Sequence, residues 1–369
     1  MTSRSERLVS LDAFRGLTIA GMILVNNPGS WSYVYAPLRH AEWHGWTPTD
    51  LIFPYFLFIV GVAIPFSFRR RLASGAARAD LLRHIVRRAL ILIVLGIAMR
   101  AVPDFDFGTM RYYGVLQRIG LVYLAAASAY VYLGTRALRS LTVAILLGYW
   151  AIMMLVPVPG YGAGDLAPDA NLAAWLDRLV MGGHLWQDTW DPEGLLSTLP
   201  AVGTSLLGIF TGQWLQSEVL PEEHARGLAM TGVVLTALGW AWGTVFPINK
   251  NLWTSSYVVF TAGTALLLLA LLYWCIDVKR WRGWWQEWMV VYGMNAITVF
   301  VASGMLTKAM VRVRVGGADG MSLYQALYEL GFRTWLGPFD ASLAFALAYV
   351  LFWLALMWIL HARRIYVKI

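Results

Sequence analysis

The sequence has one cysteine and few charged residues. Cys275 is the only cysteine among 369 residues, which excludes an intrachain disulfide framework and a metal site built from a cysteine cluster. Lys, Arg, Asp and Glu together make up 14% of the chain, whereas soluble domains carry about 25%. The chain also lacks a glycine-rich phosphate loop and a G-x-S-x-G motif, so nothing supports a P-loop nucleotidase or a serine hydrolase.

Long apolar runs take the place of charge. Hydrophobic residues make up 59% of the chain, which also has 19 Trp and 17 Tyr, as is typical of proteins with aromatic belts at both membrane interfaces. A helix needs about 20 mainly apolar residues to cross a bilayer. We therefore expect an all-α fold, a polytopic membrane helix bundle of about ten transmembrane helices that forms one domain over residues 1–369. The ten predicted spans are 8–27, 49–68, 84–102, 114–133, 138–156, 195–217, 226–246, 253–275, 288–308 and 340–361.

The distribution of Lys and Arg predicts the orientation. With ten spans and both termini in the cytoplasm, the inner segments hold 18 of the 29 basic residues and the outer segments hold 8. This excess agrees with the positive-inside rule, so the net charge of +8 gives no reason to expect a nucleic-acid partner. The longest outer loop, 157–194, is expected to be functional or to form a lid. Residues 320–335 are expected to form an interfacial helix on the outer side.

Polar residues gather where the second predicted span begins. His40 and His44 precede it in HAEWHGWTPTD, Asp50 caps it, and Asn26 ends the first span. Two consecutive spans therefore deliver Asn, His and Asp to one outer rim. Histidine titrates near neutrality and is the usual proton shuttle. We interpret this rim as an active site and predict no metal site, because no second cluster of metal-binding type is present.

Two charged pairs lie inside predicted spans, where an unpaired charge costs about 3 kcal/mol or more. Asp12 and Arg15 are three residues apart on the first helix, and they form either an internal ion pair or a contact for an anionic ligand. Gln117 and Arg118 open the fourth span, where they either join helices or anchor a ligand.

A very short outer connection carries a further polar cluster. In FPINKNLWTSSY, Asn249, Lys250 and Asn251 are consecutive, and Ser255 begins the next span. Turn chemistry explains an Asn after a Pro, but it does not explain a lysine between two asparagines. This cluster is suited to hold a carbonyl or a sugar hydroxyl. Asn295 lies alone on the ninth span, where an amide is most often an interhelical hydrogen bond.

Six ordered motifs between about residues 8 and 306 resemble the heparan-α-glucosaminide N-acetyltransferase family of transmembrane acetyltransferases. Each motif by itself is a weak signal, but their order and their Trp, Asn and His residues are specific. The similarity is greatest to bacterial members linked to the use of N-acetylglucosamine. The motifs are SLDAFRGLTIAGMILVNN, HAEWHGWTPTDLIFPYFLFIVG, GVLQRIG, PINKNLWTSSYV, DVKRWRG and YGMNAITVFV.

The resemblance implies an activity and several site residues. It implies transfer of acetyl from cytoplasmic acetyl-CoA to the amine of glucosamine or a glucosaminide at the outer side of a bacterial inner membrane, by a protein that forms a homodimer. His40 matches the family's active-site histidine and Asn26 its asparagine, although the spacing between them is longer here. Asp12, Arg15 and Gly16 match a D-x-x-R-G motif that is tied to acyl-CoA. His44 stands where the lysosomal enzyme has Asn, a position that can tune the choice of acceptor.

In the implied chemistry His40 is the general base and Asp50 orients it, while Asn26 donates to the thioester oxygen. A ping-pong route through acetyl-His40 is the rival mechanism. An amino-sugar transporter and a membrane O-acyltransferase of an envelope glycan are the alternative functions. The residues predicted to contact acetyl-CoA or the acceptor are Arg15, Gln117, Arg118, Asn249, Lys250, Asn251, Ser255 and Asn295.

Overall fold

The computed structural model describes residues 8–317 and 319–367, which are mostly helical. Short 3₁₀ turns cover Ala36–Leu38 and Pro48–Leu51, and π-helical turns cover Trp274–Val278 and Glu329–Arg333. Two short antiparallel strands, β1 (Arg314–Val315) and β2 (Met321–Ser322), form a hairpin. The α-helices are α1 (Val9–Asn26), α2 (Ile52–Ala73), α3 (Arg78–Ala101), α4 (Val115–Tyr132), α5 (Thr135–Leu155), α6 (Leu172–Met181), α7 (Thr198–Trp214), α8 (Pro221–Trp242), α9 (Ser255–Tyr273), α10 (Trp284–Met294), α11 (Ala296–Arg312), α12 (Leu323–Tyr328) and α13 (Pro338–Ala362).

Each of the ten predicted spans falls on one or two of these helices, which agrees with the predicted all-α, multi-pass fold. By length and composition, six of the described helices are able to cross a membrane, and a bent pair, α10 and α11, makes a possible seventh. Of the others, α3 carries five arginines, α7 has 17 residues, and α8 begins with two glutamates. The count of ten spans is therefore not confirmed. The six candidate spans are Val9–Asn26, Pro48–Arg69, Val115–Tyr132, Thr135–Leu155, Ser255–Val278 and Pro338–Ala362.

The ninth predicted span, 288–308, is not one straight helix. The chain bends by 77° between α10 and α11, and Asn295 at the bend has non-helical backbone angles. The Asn295 side chain donates to the Ile365 carbonyl at 3.1 Å and accepts from the Val367 N–H at 3.0 Å. The amide at the bend therefore holds the C-terminal segment in place.

The described chain divides into two compact units. The first comprises the described residues of Met1–Ala41, Thr47–Phe53 and Leu271–Lys368. In it α1 packs so closely on α10 that a Cβ on Gly16 would lie 1.6 Å from the Met289 carbonyl oxygen. Small residues permit this approach between membrane helices, where packing drives association.

The second unit comprises Glu42–Trp46 and Pro54–Ala270. Its helices α2 and α7 cross at Gly61 and Gly208, where an added Cβ would lie 2.0 Å from the Ser205 carbonyl oxygen and 2.2 Å from that of Phe58. The long loop predicted between α5 and α7 contains α6, and its Leu166 packs in a buried cluster with Tyr149 and Phe246. This loop is thus folded onto the core of its unit.

Candidate functional site

Asp50 is a buried carboxylate at the start of the second predicted span. The 3₁₀ turn Pro48–Leu51, with proline at its first position, leads directly into α2. Asp50 Oδ2 accepts the backbone N–H groups of Ala41 and Thr47, each at 3.0 Å, and the side chain is 1% exposed. Buried charges are tolerated when hydrogen bonds satisfy them, and these bonds hold the carboxylate in one orientation.

The other oxygen of this carboxylate contacts His40. Asp50 Oδ1 lies 2.6 Å from His40 Nδ1. Since an ionised carboxylate only accepts, Nδ1 carries the proton, and in the neutral ring the lone pair is on Nε2. The His40 side chain is 48% exposed. A buried acid that fixes the tautomer of an accessible histidine is the arrangement of a general base.

Asn26 is exposed at the last position of α1. The described hydrogen bonds do not join it to His40 or Asp50. Its neighbour Asn27 is buried, donates to the Ile23 carbonyl at 2.8 Å and accepts from the Thr307 hydroxyl at 2.7 Å. Asn27 is therefore a structural amide, and Asn26 is the exposed asparagine of this pair.

In the second unit, Asn249 is fully buried and contacts His44. Its Oδ1 accepts the Leu252 N–H at 2.9 Å, and its Nδ2 lies 3.2 Å from His44 Nδ1. Gly45 N–H donates to the Ile248 carbonyl at 2.7 Å, and the Trp43 indole N–H donates to the Leu166 carbonyl at 2.9 Å. The segment Glu42–Trp46 is thus bonded to the short connection between α8 and α9 and to the long loop between α5 and α7.

Lys250 and Asn251 are half-buried in the turn that follows Asn249. Burial by itself would raise the pKa of Glu193, but the charges of Arg111, Arg118 and Lys250 more than offset this, so that pKa is lowered. The charge of Lys250 therefore acts on a buried acid of the long loop between α5 and α7. Ser255 is fully buried and donates to the Leu146 carbonyl at 2.6 Å, so its proton is used within the protein.

Gln117 and Arg118 are both buried near the start of α4. Gln117 Nε2 donates to the Tyr112 carbonyl at 3.1 Å. Arg118 Nη2 donates to the Gly194 carbonyl at 3.0 Å and to the Ser197 hydroxyl, and its guanidinium lies 5.1 Å from the centre of the Trp253 ring. Its Nε and Nη1 atoms have no hydrogen-bond partner among the described residues.

In the first unit, Arg15 forms the predicted ion pair with Asp12, with Nη1 and Oδ1 3.0 Å apart. The same Nη1 lies 3.5 Å from the Gly293 carbonyl oxygen. The ion-pair interpretation of this motif is therefore confirmed, while its contact with an acyl-CoA stays a prediction. The predicted absence of a metal also stays a prediction. Among residues 8–317 and 319–367, no three His, Cys, Asp or Glu side chains cluster as metal ligands do.

Sequence reasoning missed a buried charge cluster in the second unit. Arg111 binds Asp191 through both Nε and Nη2 and also binds Glu193, and these three side chains are at most 10% exposed. Nearby Asp177 of α6 accepts the Leu195 N–H at 2.8 Å, and burial raises its pKa to about 6. The acidic, Trp-rich run WQDTWDPEG was the available signal, but Arg111 lies 80 residues before its partner.

Comparison with known proteins identifies similar sequences. The model of the family described as "Heparan-alpha-glucosaminide N-acetyltransferase, catalytic" matches residues 7–224. The mouse heparan-alpha-glucosaminide N-acetyltransferase is 32% identical over an alignment of 363 residues. The match covers 82% of this chain and 54% of the mouse protein. The human protein of the same name is 32% identical over 360 residues, covering 82% and 53%. The chain therefore spans about half the length of the curated relatives it matches.

Proposed function

Since this chain belongs to the heparan-α-glucosaminide N-acetyltransferase catalytic family, we propose that it is a membrane acetyltransferase. It passes the acetyl group of acetyl-CoA to the amine of glucosamine or a glucosaminide. The observation that carries the proposal is the 2.6 Å contact between His40 Nδ1 and Asp50 Oδ1. The attacking nitrogen must lose a proton as it becomes an amide, so N-acylation requires a base such as His40.

The reaction balances with His40 as the proton carrier. The acceptor ammonium ion first gives one proton to water. The neutral amine nitrogen then forms a bond to the acetyl carbon, the C–S bond of the thioester breaks, and a second proton passes from the nitrogen to His40 Nε2. The resulting imidazolium is stabilised by Asp50 and returns the proton to the CoA thiolate. An amide and free CoA are the products, and His40 is again neutral.

Asn26 is proposed as the donor to the thioester oxygen. Its exposed position at the end of α1 supports this role, because negative charge develops on that oxygen in the transition state. The loss of such a donor typically costs about 10²–10³ in rate. Direct transfer is the proposed route. The same Nε2 lone pair also suits a nucleophile, so acetyl found on His40 in the absence of an acceptor would contradict direct transfer.

Acetyl-CoA is proposed to arrive from the cytoplasm, because its phosphates cannot cross hydrocarbon. Arg15, half-buried and paired with Asp12 near the start of α1, is the proposed contact for its anionic part. Lys250, Asn251, Gln117 and Arg118 are retained as proposed ligand contacts. Asn249 is fully buried and bonded to Leu252 and His44, so it is proposed to act through His44. Ser255 and Asn295 use their hydrogen-bonding groups within the protein, so we assign them supporting roles.

The proposed setting is a bacterial inner membrane, in which ten spans leave both termini in the cytoplasm and the protein forms a homodimer. The excess of Lys and Arg in the inner segments supports the orientation. The amine acceptor is then met at the outer side, where residues 28–48 lie. The consequence is that acetyl passes across the bilayer while CoA remains inside.

Purified protein in detergent, supplied with acetyl-CoA and glucosamine, tests this function. We expect CoA release that depends on glucosamine and yields N-acetylglucosamine in equal amount. Release of CoA only with a glycan that lacks amines, giving an ester product, would point to the O-acyltransferase. Uptake of glucosamine into vesicles without acetyl-CoA, and no CoA release, would point to the transporter.

A further inference from the structure

The two histidines of the segment His40–Trp46 have different hydrogen-bond partners. His40 Nδ1 faces a carboxylate oxygen, whereas His44 Nδ1 lies 3.2 Å from the side-chain nitrogen of Asn249. A carboxylate only accepts and an amide NH₂ only donates. The nature of the partner therefore determines which ring nitrogen carries the proton in each histidine.

The orientation of the Asn249 amide follows from its backbone neighbour. The Leu252 N–H donates to the Asn249 side chain at 2.9 Å, so the atom it meets must be Oδ1. The atom that meets His44 is then Nδ2, which donates. His44 Nδ1 must accept, and its proton resides on Nε2. His44 is consequently the opposite tautomer of His40, a neutral ring that donates through Nε2.

Two features favour this neutral form. Protonation of Nδ1 would set an N–H against the NH₂ group of Asn249, and Asn249 is fully buried and cannot turn without losing its bond to Leu252. Partial desolvation also lowers the pKa of His44. His44 is nonetheless exposed, and the described hydrogen bonds do not use its Nε2 donor.

The surroundings of His44 suit a sugar. Its ring lies edge-on to Trp43, with 6.2 Å between ring centres, and Trp43 packs edge-on against Trp190 at 5.0 Å. Indole rings bind apolar C–H faces, and a few neutral polar groups fix the orientation of a ligand in such sites. A neutral donor also avoids the repulsion that an imidazolium would exert on an acceptor that arrives as an ammonium ion.

We propose that His44 is a specificity-determining residue, whose Nε2–H donates to a hydroxyl or ring oxygen of the acceptor sugar. The proposal rests on the acetyltransferase function proposed above and adds a residue that recognises the sugar and not its amine. Asn249 is then the residue that positions His44. An acyl-CoA phosphate is a poor candidate for this donor, because a neutral ring offers it no charge.

A pair of variants separates the two nitrogens of the ring. His44→Gln keeps an N–H near the Nε2 position and loses the Nδ1 acceptor, whereas His44→Asn keeps an oxygen for Asn249 near Nδ1 and loses the distal donor. We expect the KM for glucosamine of His44→Asn to be about tenfold above that of His44→Gln, with equal KM for acetyl-CoA, since one hydrogen bond to the sugar differs. His361→Asn, the same substitution on α13, is the control, with unchanged constants.

Nitrogen NMR of ¹⁵N-histidine protein at neutral pH supplies a readout that does not depend on turnover. We expect one ring protonated at Nε2 whose signals disappear in His44→Gln, and one protonated at Nδ1 whose signals disappear in His40→Gln. A His44 ring protonated at Nδ1 would overturn the proposal. Equal glucosamine KM in the two His44 variants would overturn it as well.

Equilibrium binding of glucosamine, measured by calorimetry without acetyl-CoA, distinguishes the two possible failures. Binding that is weaker in His44→Asn than in His44→Gln, with no acetyl transfer by native protein, would reject the enzyme and retain the sugar contact. Acetyl transfer with no difference between the variants would reject the contact and retain the enzyme. Native protein that neither binds nor acetylates glucosamine would reject both.

Discussion

His40 Nδ1 lies 2.6 Å from Asp50 Oδ1, and the two partners differ sharply in exposure, 48% for the histidine side chain and 1% for the carboxylate. Backbone N–H groups of Ala41 and Thr47 hold the second oxygen of the acid. The acid therefore cannot turn away, and it imposes one tautomer on a ring that solvent reaches. This fixed relationship is the basis on which a proton can be taken from an incoming amine.

Removing the charge of Asp50 should change the tautomer of His40. In Asp50→Asn the amide can donate to His40 Nδ1, so the lone pair no longer resides on Nε2, and we expect kcat to fall by about 10³–10⁴. Binding of acetyl-CoA should be unchanged when measured by calorimetry. Asp340→Asn, which alters an acid bonded to the Tyr35 hydroxyl at 2.6 Å, is the control. A kcat within threefold of native in Asp50→Asn would contradict the role of the pair.

The buried Arg111 cluster predicts a loss of stability. Arg111→Ala leaves Asp191 and Glu193 without their cation, and breaking a buried pair typically costs about 3–5 kcal/mol. We expect a large fall in the thermal midpoint in detergent. Arg83→Ala breaks an ion pair with Asp80, but those side chains are 80% and 59% exposed, so little change is expected. Equal midpoints for the two variants would contradict the structural role of the cluster.

Asp177 predicts a specific pH dependence of stability. Its pKa is raised by burial from 3.8 to about 6, so the folded protein binds this proton more tightly than the unfolded chain does. The contribution of protonated Asp177 to the free energy of unfolding is thus fully present below about pH 4 and is lost as pH rises through about 6. Relative to Asp177→Asn, native protein should lose about 2–3 kcal/mol of unfolding free energy between pH 4 and pH 7. Parallel curves of unfolding free energy against pH for the two proteins would contradict this role of Asp177.

The proposed orientation predicts which loops an impermeant thiol reagent reaches. In a Cys275→Ser background, we expect Ala163→Cys of the long outer loop to be labelled in intact cells. Ser74→Cys, between α2 and α3, should be labelled only after lysis. Both positions are exposed, so accessibility within the protein does not confound the result. The reverse pattern would overturn the orientation.

Much of the helical framework could be predicted because apolar runs are local. The fourth span, predicted as 114–133, is observed as α4 (Val115–Tyr132). The bend at Asn295 could not be predicted, since VYGMNAIT is compatible with a helix and the bend is secured by Ile365 and Val367, about 70 residues away. Local patterns specify helices, while distant partners specify where they break.

The same limit applies to the candidate site. His40 and Asp50 lie ten residues apart in one segment, which is why the sequence suggested Asp50 as the orienting acid. The contact of Asn249 with His44 joins residues 205 positions apart, and Arg111 joins Asp191 across 80. Neither pairing has a local signature, so the tautomer of His44 and the charge cluster emerged only from the fold.

The most direct measurement of the central claim compares native protein with His40→Ala for acetyl transfer from acetyl-CoA to glucosamine. The account predicts that the variant binds acetyl-CoA as native protein does and loses turnover by about 10²–10⁴, the usual contribution of a general base. Undiminished formation of N-acetylglucosamine by His40→Ala would contradict it.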